Sequence, residues 1–369
     1  MAPRISDLQR MLCSVFSPDV VITDTERLAP WCVLRCRLDG TDGPESVIVK
    51  WLREDPNGFR IDPEQMRTEQ AALEFLADLD FARSPRFVVG DQAAHLILIE
   101  DLAPRTPLAA LLREAGAAGD EMRSFARALG ELAVTTVGRS DEFYRRRRAL
   151  GPVHAERDRQ LFRADQWADT RGILEALDVR ISAAVDRELD SALAELDDPG
   201  PFLAMSNGDP EANNFLIGEG GGKIIDFEFA RYHHALVDAV WMHVPGPMWM
   251  TVADPVVPSV ESEYRTVLAE AIPQAADDRL FGFGLSAACG AFAISRLNRF
   301  GVVDRRAEGD LSRPQMVSIL EAAARTAEDH GALPQLRGWL REVAEFLRRR
   351  WKDADVDLAK YRSYTPRHP

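Results

Sequence analysis

The stretch from Phe202 to Ala230 constrains this chain more than any other. It interrupts a long run of helical pattern with Asn207-Gly208-Asp209 and Asn213-Asn214. Two short apolar segments follow, Phe215–Ile217 and Lys223–Ile225, on either side of Gly218-Glu-Gly-Gly-Gly222. Two β-prone runs around a glycine-rich turn make a β-hairpin. The glycines are turn residues rather than a phosphate loop, because the GxxxxGK spacing followed by Ser or Thr is absent and no helix pattern follows. Polar groups bracket the hairpin: Asp209 precedes it, Asn214 starts it and Asp226 ends it. Strand ends converge, so Asn214 and Asp226 are expected together at one edge, with Asp209 on the loop beside them. Such an Asp/Asn pair offers hard oxygen ligands that suit Mg²⁺, which takes one or two protein ligands together with phosphate oxygens. Asp209 is then left to orient an acceptor hydroxyl, the arrangement that phosphoryl transfer needs.

The rest of the chain divides in two. From Val20 to about Leu102 the pattern is short and strand-like, with candidates at 31–38, 46–52, 87–89 and 95–99. One helix interrupts it, beginning at Pro63, with Met66, Leu73 and Leu76 on one face. After Pro104 the pattern turns helical, over Glu121 to Val137 and roughly 160–197, 260–272, 280–299, 314–330 and 335–352. In the last of these, Leu336, Trp339, Leu340, Val343, Phe346 and Leu347 form a stripe read as core. The expected fold class is therefore α+β, with a small β-rich lobe over 1–102 and a large, mainly helical lobe over 103–369.

Composition excludes several classes. The formal net charge of −14 on 369 residues argues against a nucleic-acid binder, whose phosphate contacts need a basic face. The acidic excess suits a cationic small molecule instead. The basic run Arg145 to Arg148 reads as a solvated helix end or loop. No apolar run approaches the roughly 18 residues of a membrane span, and the N-terminus has no signal pattern. The chain is read as cytoplasmic, with no membrane partner. Its four cysteines form no CxxC pair and are expected reduced; His233-His234 lacks a third ligand for zinc.

The segment Asn207 to Glu228 resembles the Brenner motif of the aminoglycoside phosphotransferase and choline kinase superfamily, H-G-D-x-x-x-x-N followed by I-D-F-E or I-D-W-E. The resemblance implies a protein-kinase-like two-lobed fold and a kinase that moves the γ-phosphate of ATP or GTP, with Mg²⁺, to a small-molecule hydroxyl. It implies Asp209 as the catalytic residue and Asn214 and Asp226 as metal ligands. Glu228 matches the acidic residue two positions later, and Asp238 a structural Asp. Upstream, Val47-Ile-Val-Lys50 resembles the strand whose Lys contacts the α- and β-phosphates, and Glu69 its helical partner. Leu98-Ile-Glu-Asp-Leu102 resembles the hinge, whose backbone around Glu100 and Leu102 would hold the purine. The likeness covers roughly residues 20–245. Two positions depart from the pattern. Asn207 replaces the usual His, and the expected phosphate-covering segment Arg27 to Cys32 has no glycine. The acceptor is left open between an aminoglycoside, a choline-like amine, a nucleoside antibiotic and a sugar; a catalytically silent binding protein of the same fold is the alternative.

Overall fold

The computed structural model describes all residues except 1–2, 29–31, 41, 53–61, 63, 116–118, 160–163, 247–248, 254–257 and 368–369. The first part is two helices and a five-stranded antiparallel sheet. Its elements are α1 (Ile5–Val15), β1 (Val21–Arg27), β2 (Val33–Asp39), β3 (Ser46–Trp51), α2 (Glu64–Asp78), β4 (Phe87–Asp91) and β5 (Leu96–Glu100), with strand order β1-β2-β3-β5-β4. The sequence pattern did not single out β1, because Val21-Ile-Thr-Asp-Thr-Glu-Arg is polar at most positions. It lies at the sheet edge, where a strand has little apolar surface to bury. Pro63, expected to begin α2, lies outside the described residues.

The second part is mainly helical: β6 (Thr106–Pro107), α3 (Leu108–Ala115), α4 (Gly119–Thr136), α5 (Ser140–Leu150), α6 (Ala155–Arg159), α7 (Ala164–Ala176) and α8 (Ala183–Asp197). The motif segment supplies β7 (Leu203–Ser206), β8 (Phe215–Ile217), β9 (Lys223–Ile224) and β10 (Arg231–His234). The expected hairpin forms with Phe215 opposite Ile224, and β6 pairs with the outer side of β8. The remainder is β11 (Met250–Thr251), α9 (Pro258–Leu268), α10 (Asp278–Leu297), α11 (Phe300–Asp304), α12 (Ser312–Asp329), α13 (Pro334–Arg350) and β12 (Thr365–Pro366). The stripe on α13 is buried as expected, except that Phe346 is only partly covered.

Two sequence expectations need correction. Helix α10 is long and apolar enough to cross a membrane by length and composition, although no such run was expected; 72% of its most apolar window is buried inside the protein. Its small residues, among them Gly284, Ala287, Ala288 and Ala291, let α8 and α12 pack closely on it, so it reads as a central core helix. The basic run is not simply a solvated helix end either. Arg147 is buried on α5, where its Nη2 donates to Glu64 Oε2 at 2.9 Å and to the Pro152 carbonyl at 3.3 Å. The neighbouring Arg146 bonds Asp78. Helical spacing turns these two arginines toward opposite ends of α2, so α5 grips that helix at both its first and last turns.

Candidate active site

Between the sheet and the helical part lies a cleft of about 630 Å³. Lys50, Glu69, Glu100, Leu102, Asp209, Asn214 and Asp226, the residues singled out from the sequence, all line it. The fold brings them together from β3, α2, the end of β5 and the two flanks of the β8–β9 hairpin.

Lys50 is buried on β3, the central strand of the sheet. Its ammonium bonds the Glu69 carboxylate and donates to Asp226 Oδ1 at 2.5 Å, with Glu228 Oε2 at 4.0 Å. Burial by itself pushes the ammonium's pKa down, but the negative charges of Asp226, Glu69 and Glu228 outweigh it and hold Lys50 above the ordinary lysine value. Glu69 is fully buried; burial raises its carboxyl, Lys50 opposes this, and the Asp226 charge adds to it. The second Glu69 oxygen accepts from the Phe227 N–H at 3.4 Å, so α2, β3 and the hairpin meet on one carboxylate.

Asp226 has φ = 64°, in the left-handed region that costs a residue with a Cβ about 1–3 kcal/mol. Its surroundings hold it there: the ion pair with Lys50, and on its N-terminal side the Ile225 N–H donating to the Asn214 carbonyl at 2.9 Å. The oxygens of Glu69, Asp226 and Glu228 lie within 4.8 Å of one another. Asn214 belongs to the Asp209 loop: its Nδ2 donates to the Asp209 carbonyl at 2.9 Å and to Asp209 Oδ2 at 3.0 Å.

The loop that presents Asp209 is tightly specified. Asn207, in place of the usual His, is fully buried; its Nδ2 donates to the carbonyls of Asp209 at 3.2 Å and Ile225 at 3.1 Å, and its Oδ1 accepts from the Asp209 N–H at 3.4 Å. An amide has both donor and acceptor, so Asn207 ties the loop to the hairpin without a ring. Asp238 is buried and accepts from Ser206 Oγ at 2.7 Å and lies 3.0 Å from His233 Nε2, while Ser206 Oγ accepts from the Gly208 N–H at 2.9 Å. The two adjacent histidines diverge, His233 to Asp238 and His234 to Glu195. Gly208 has φ = 83°, and a Cβ there would meet the Phe229 carbonyl oxygen at 2.1 Å. Gly208→Ala should therefore lower the melting temperature and cut activity together; the left-handed backbone alone costs about 1–2 kcal/mol. Thermal unfolding and turnover that both match the unsubstituted protein would contradict this.

At the far end of the cleft, the Glu100 N–H donates to the Arg86 carbonyl at 2.8 Å and the Leu102 carbonyl accepts from the Arg105 N–H at 3.2 Å. The Leu102 N–H has no hydrogen-bond partner among the described residues. Apolar side chains form the two walls there, Val33, Ile48 and Ile99 from the sheet and Leu216 and Ile225 from the hairpin. Sequence reasoning missed Asp101, which fixes this corner by accepting from Arg35 Nε at 2.6 Å, Ser46 Oγ at 2.7 Å and the Ala103 N–H at 3.0 Å. Little local signals it, since its side-chain partners lie on β2 and β3. The expected phosphate-covering segment includes residues 29–31, outside the described residues.

The sequence matches the family described as phosphotransferase enzyme family over residues 21–275. The chain belongs to this family. No curated protein matches it significantly. Among solved structures, the phosphotransferase is similar to a choline kinase from Cryptosporidium parvum Iowa II, with a TM-score of 0.53 and 10% identity, covering 91% of this chain and 99% of that one. It is similar also to the GDP complex of wild-type aminoglycoside 2'-phosphotransferase-IIIa, with a TM-score of 0.50 and 14% identity over 89% and 99%. At such identities the likeness establishes the shared two-lobed, kinase-like fold.

Proposed function

We propose that this phosphotransferase moves the γ-phosphate of ATP or GTP to a hydroxyl of a small molecule. The observation that carries the reading is the Lys50–Glu69–Asp226 arrangement, which links the sheet, α2 and the hairpin across the cleft. The purine fits the apolar slot between Ile48 and Ile99 above and Leu216 and Ile225 below, with the unpartnered Leu102 N–H as donor to a ring nitrogen. Lys50, held cationic by its neighbours, binds the α- and β-phosphates, and Glu69 keeps it aimed.

The residues present fit Mg²⁺. One ammonium faces three carboxylates whose oxygens converge, leaving negative charge that a divalent cation compensates. Asp226 and Asn214 would hold it, with Glu228 in reach of the same cluster. Bound there, the ion neutralises charge on the phosphate oxygens. Asp209 accepts a hydrogen bond from the acceptor hydroxyl and turns it toward the γ-phosphorus, while Asn214 steadies the carboxylate from the side. Asp209 acts by its position rather than as a strong base. That suffices, because the transition state is loose and positioning dominates.

The test is ADP and GDP release with Mg²⁺ across a panel of aminoglycosides, choline analogues, sugars, hydroxy acids and nucleoside antibiotics, with Asp209→Ala alongside. Release stimulated by one acceptor class and absent in the variant is the expected result. No nucleotide binding and no release would overturn the reading.

A further inference from the structure

The cations that line the cleft are neutralised in different ways. Lys50 faces carboxylates, Arg35 pairs with Asp101 at 2.6 Å, and Arg105 donates to the main-chain oxygens of Gly221 and Glu219. Arg113, half-buried in the last turn of α3, differs from these. Its Nε donates to the Tyr364 carbonyl at 2.9 Å, while its two terminal nitrogens have no hydrogen-bond or ion-pair partner among the described residues. Its own carbonyl accepts from Arg362 Nε at 2.6 Å.

The segment that holds Arg113 also holds the opposite rim. Thr365–Pro366 pairs with Met250–Thr251. The Tyr364 N–H donates to the Thr251 carbonyl at 2.7 Å and the Arg367 N–H to the Trp249 carbonyl at 2.9 Å. Arg367 Nη1 reaches the Met250 carbonyl at 2.6 Å. Trp249 and Met250 line the cleft together with Arg113, Asp209 and Asn213. Residues 362–367 therefore act as a strap that holds the Arg113 guanidinium and the backbone of Trp249 and Met250, residues that line the same cleft as Asp209. A guanidinium tethered through Nε keeps its planar outer edge available, with two parallel donors spaced for a carboxylate or a phosphate.

We propose that Arg113 is the specificity-determining residue of the acceptor site: the hydroxyl compound phosphorylated here carries a carboxylate or phosphate group, received by the Arg113 fork with Trp249 beside it. The inference deepens the phosphotransferase reading and rests on it. It runs against the cationic acceptor that the acidic composition suggested. Whole-chain charge is a poor guide here, because exposed charges more than about 8–10 Å away are largely screened in physiological salt, whereas Arg113 acts at contact.

The experiment compares matched acceptors in the Mg²⁺-dependent ADP and GDP release assay: sugar phosphates against the parent sugars, and hydroxy acids against their methyl esters. Wild type, Arg113→Gln and Arg113→Lys are measured, with Mg-nucleotide affinity followed separately by a fluorescent nucleotide analogue. The expected result is release stimulated by anionic members only. Arg113→Gln should raise the acceptor KM about 10- to 100-fold and change the nucleotide affinity less than about twofold. Arg113→Lys should recover part of the loss, since it keeps the charge without the fork, which separates recognition from a folding defect. The two sources of anion are told apart by whether sugar phosphates or hydroxy acids respond. Release stimulated by the neutral members as strongly, by no anionic member, or with Arg113→Gln acting on nucleotide affinity instead, overturns the inference. Intact Mg-nucleotide binding in those cases leaves the phosphotransferase reading standing; its absence removes both.

Discussion

Asp209→Asn is expected to lower kcat by about 10²- to 10⁴-fold while leaving Mg-nucleotide affinity nearly unchanged. The side chain keeps its shape, and the loop backbone has hydrogen bonds of its own. Asn207 and Asn214 anchor the backbone of residue 209 through its carbonyl and N–H, and Gly208 is tied to Ser206. What the variant loses is the negative charge that, in the proposed mechanism, draws the acceptor hydroxyl into line. Asn214 Nδ2, which donates to Asp209 Oδ2 at 3.0 Å, can still donate to an amide oxygen. The loss therefore belongs in kcat. Steady-state kinetics beside nucleotide titration decide it, and equal loss of turnover and nucleotide affinity would contradict the assignment.

Lys50→Met should damage both binding and stability. In the metal-free protein it removes the cation that compensates Glu69, which has no solvent exposure, and Asp226, whose backbone is already in a left-handed conformation. Removing one member of a buried ion pair costs about 3–5 kcal/mol, because the other charge is left without compensation. Lys50→Met with Glu69→Gln should be more stable than Lys50→Met alone, since the second change removes the stranded charge. Chemical denaturation of the two variants in EDTA measures this, and a double variant no more stable than the single one would show that Glu69 is not what Lys50 compensates. Nucleotide affinity should stay low in both, because neither has the ammonium that the proposed mechanism sets against the phosphates.

Arg147 and Arg146 give these effects a mechanical context. They bind Glu64 and Asp78 at the two ends of α2, so Glu69 is carried on a helix fixed to the helical part. Residues 1–102 include Lys50 and Glu69 but not the two arginines that hold α2.

Much of the fold and of the site was legible because its chemistry is written locally. The hairpin announces itself by two apolar runs around a glycine turn, and strand convergence then places Asn214 and Asp226 on one side. Helical periodicity found the core stripe of α13 and most of α10 and α12, since 3.6-residue spacing needs no knowledge of neighbours. Strand β1 was missed because an edge strand has little apolar pattern to show, and the burial of Arg147 because a basic run looks the same in solvent or against Glu64. Neither Asp101 nor Arg113 could be found, since each owes its orientation to residues far away in the chain: Arg35 and Ser46 for one, Arg362 and Tyr364 for the other.

By itself, then, the sequence determined the class of chemistry and picked out residues that the fold brings to one cleft, because phosphoryl transfer needs particular side chains at fixed spacings on one loop and one hairpin. Only the tertiary structure decided which charges are paired, which donors are left open and which residues line the cleft. Those depend on long-range packing, in which residues more than a hundred positions apart meet across the cleft.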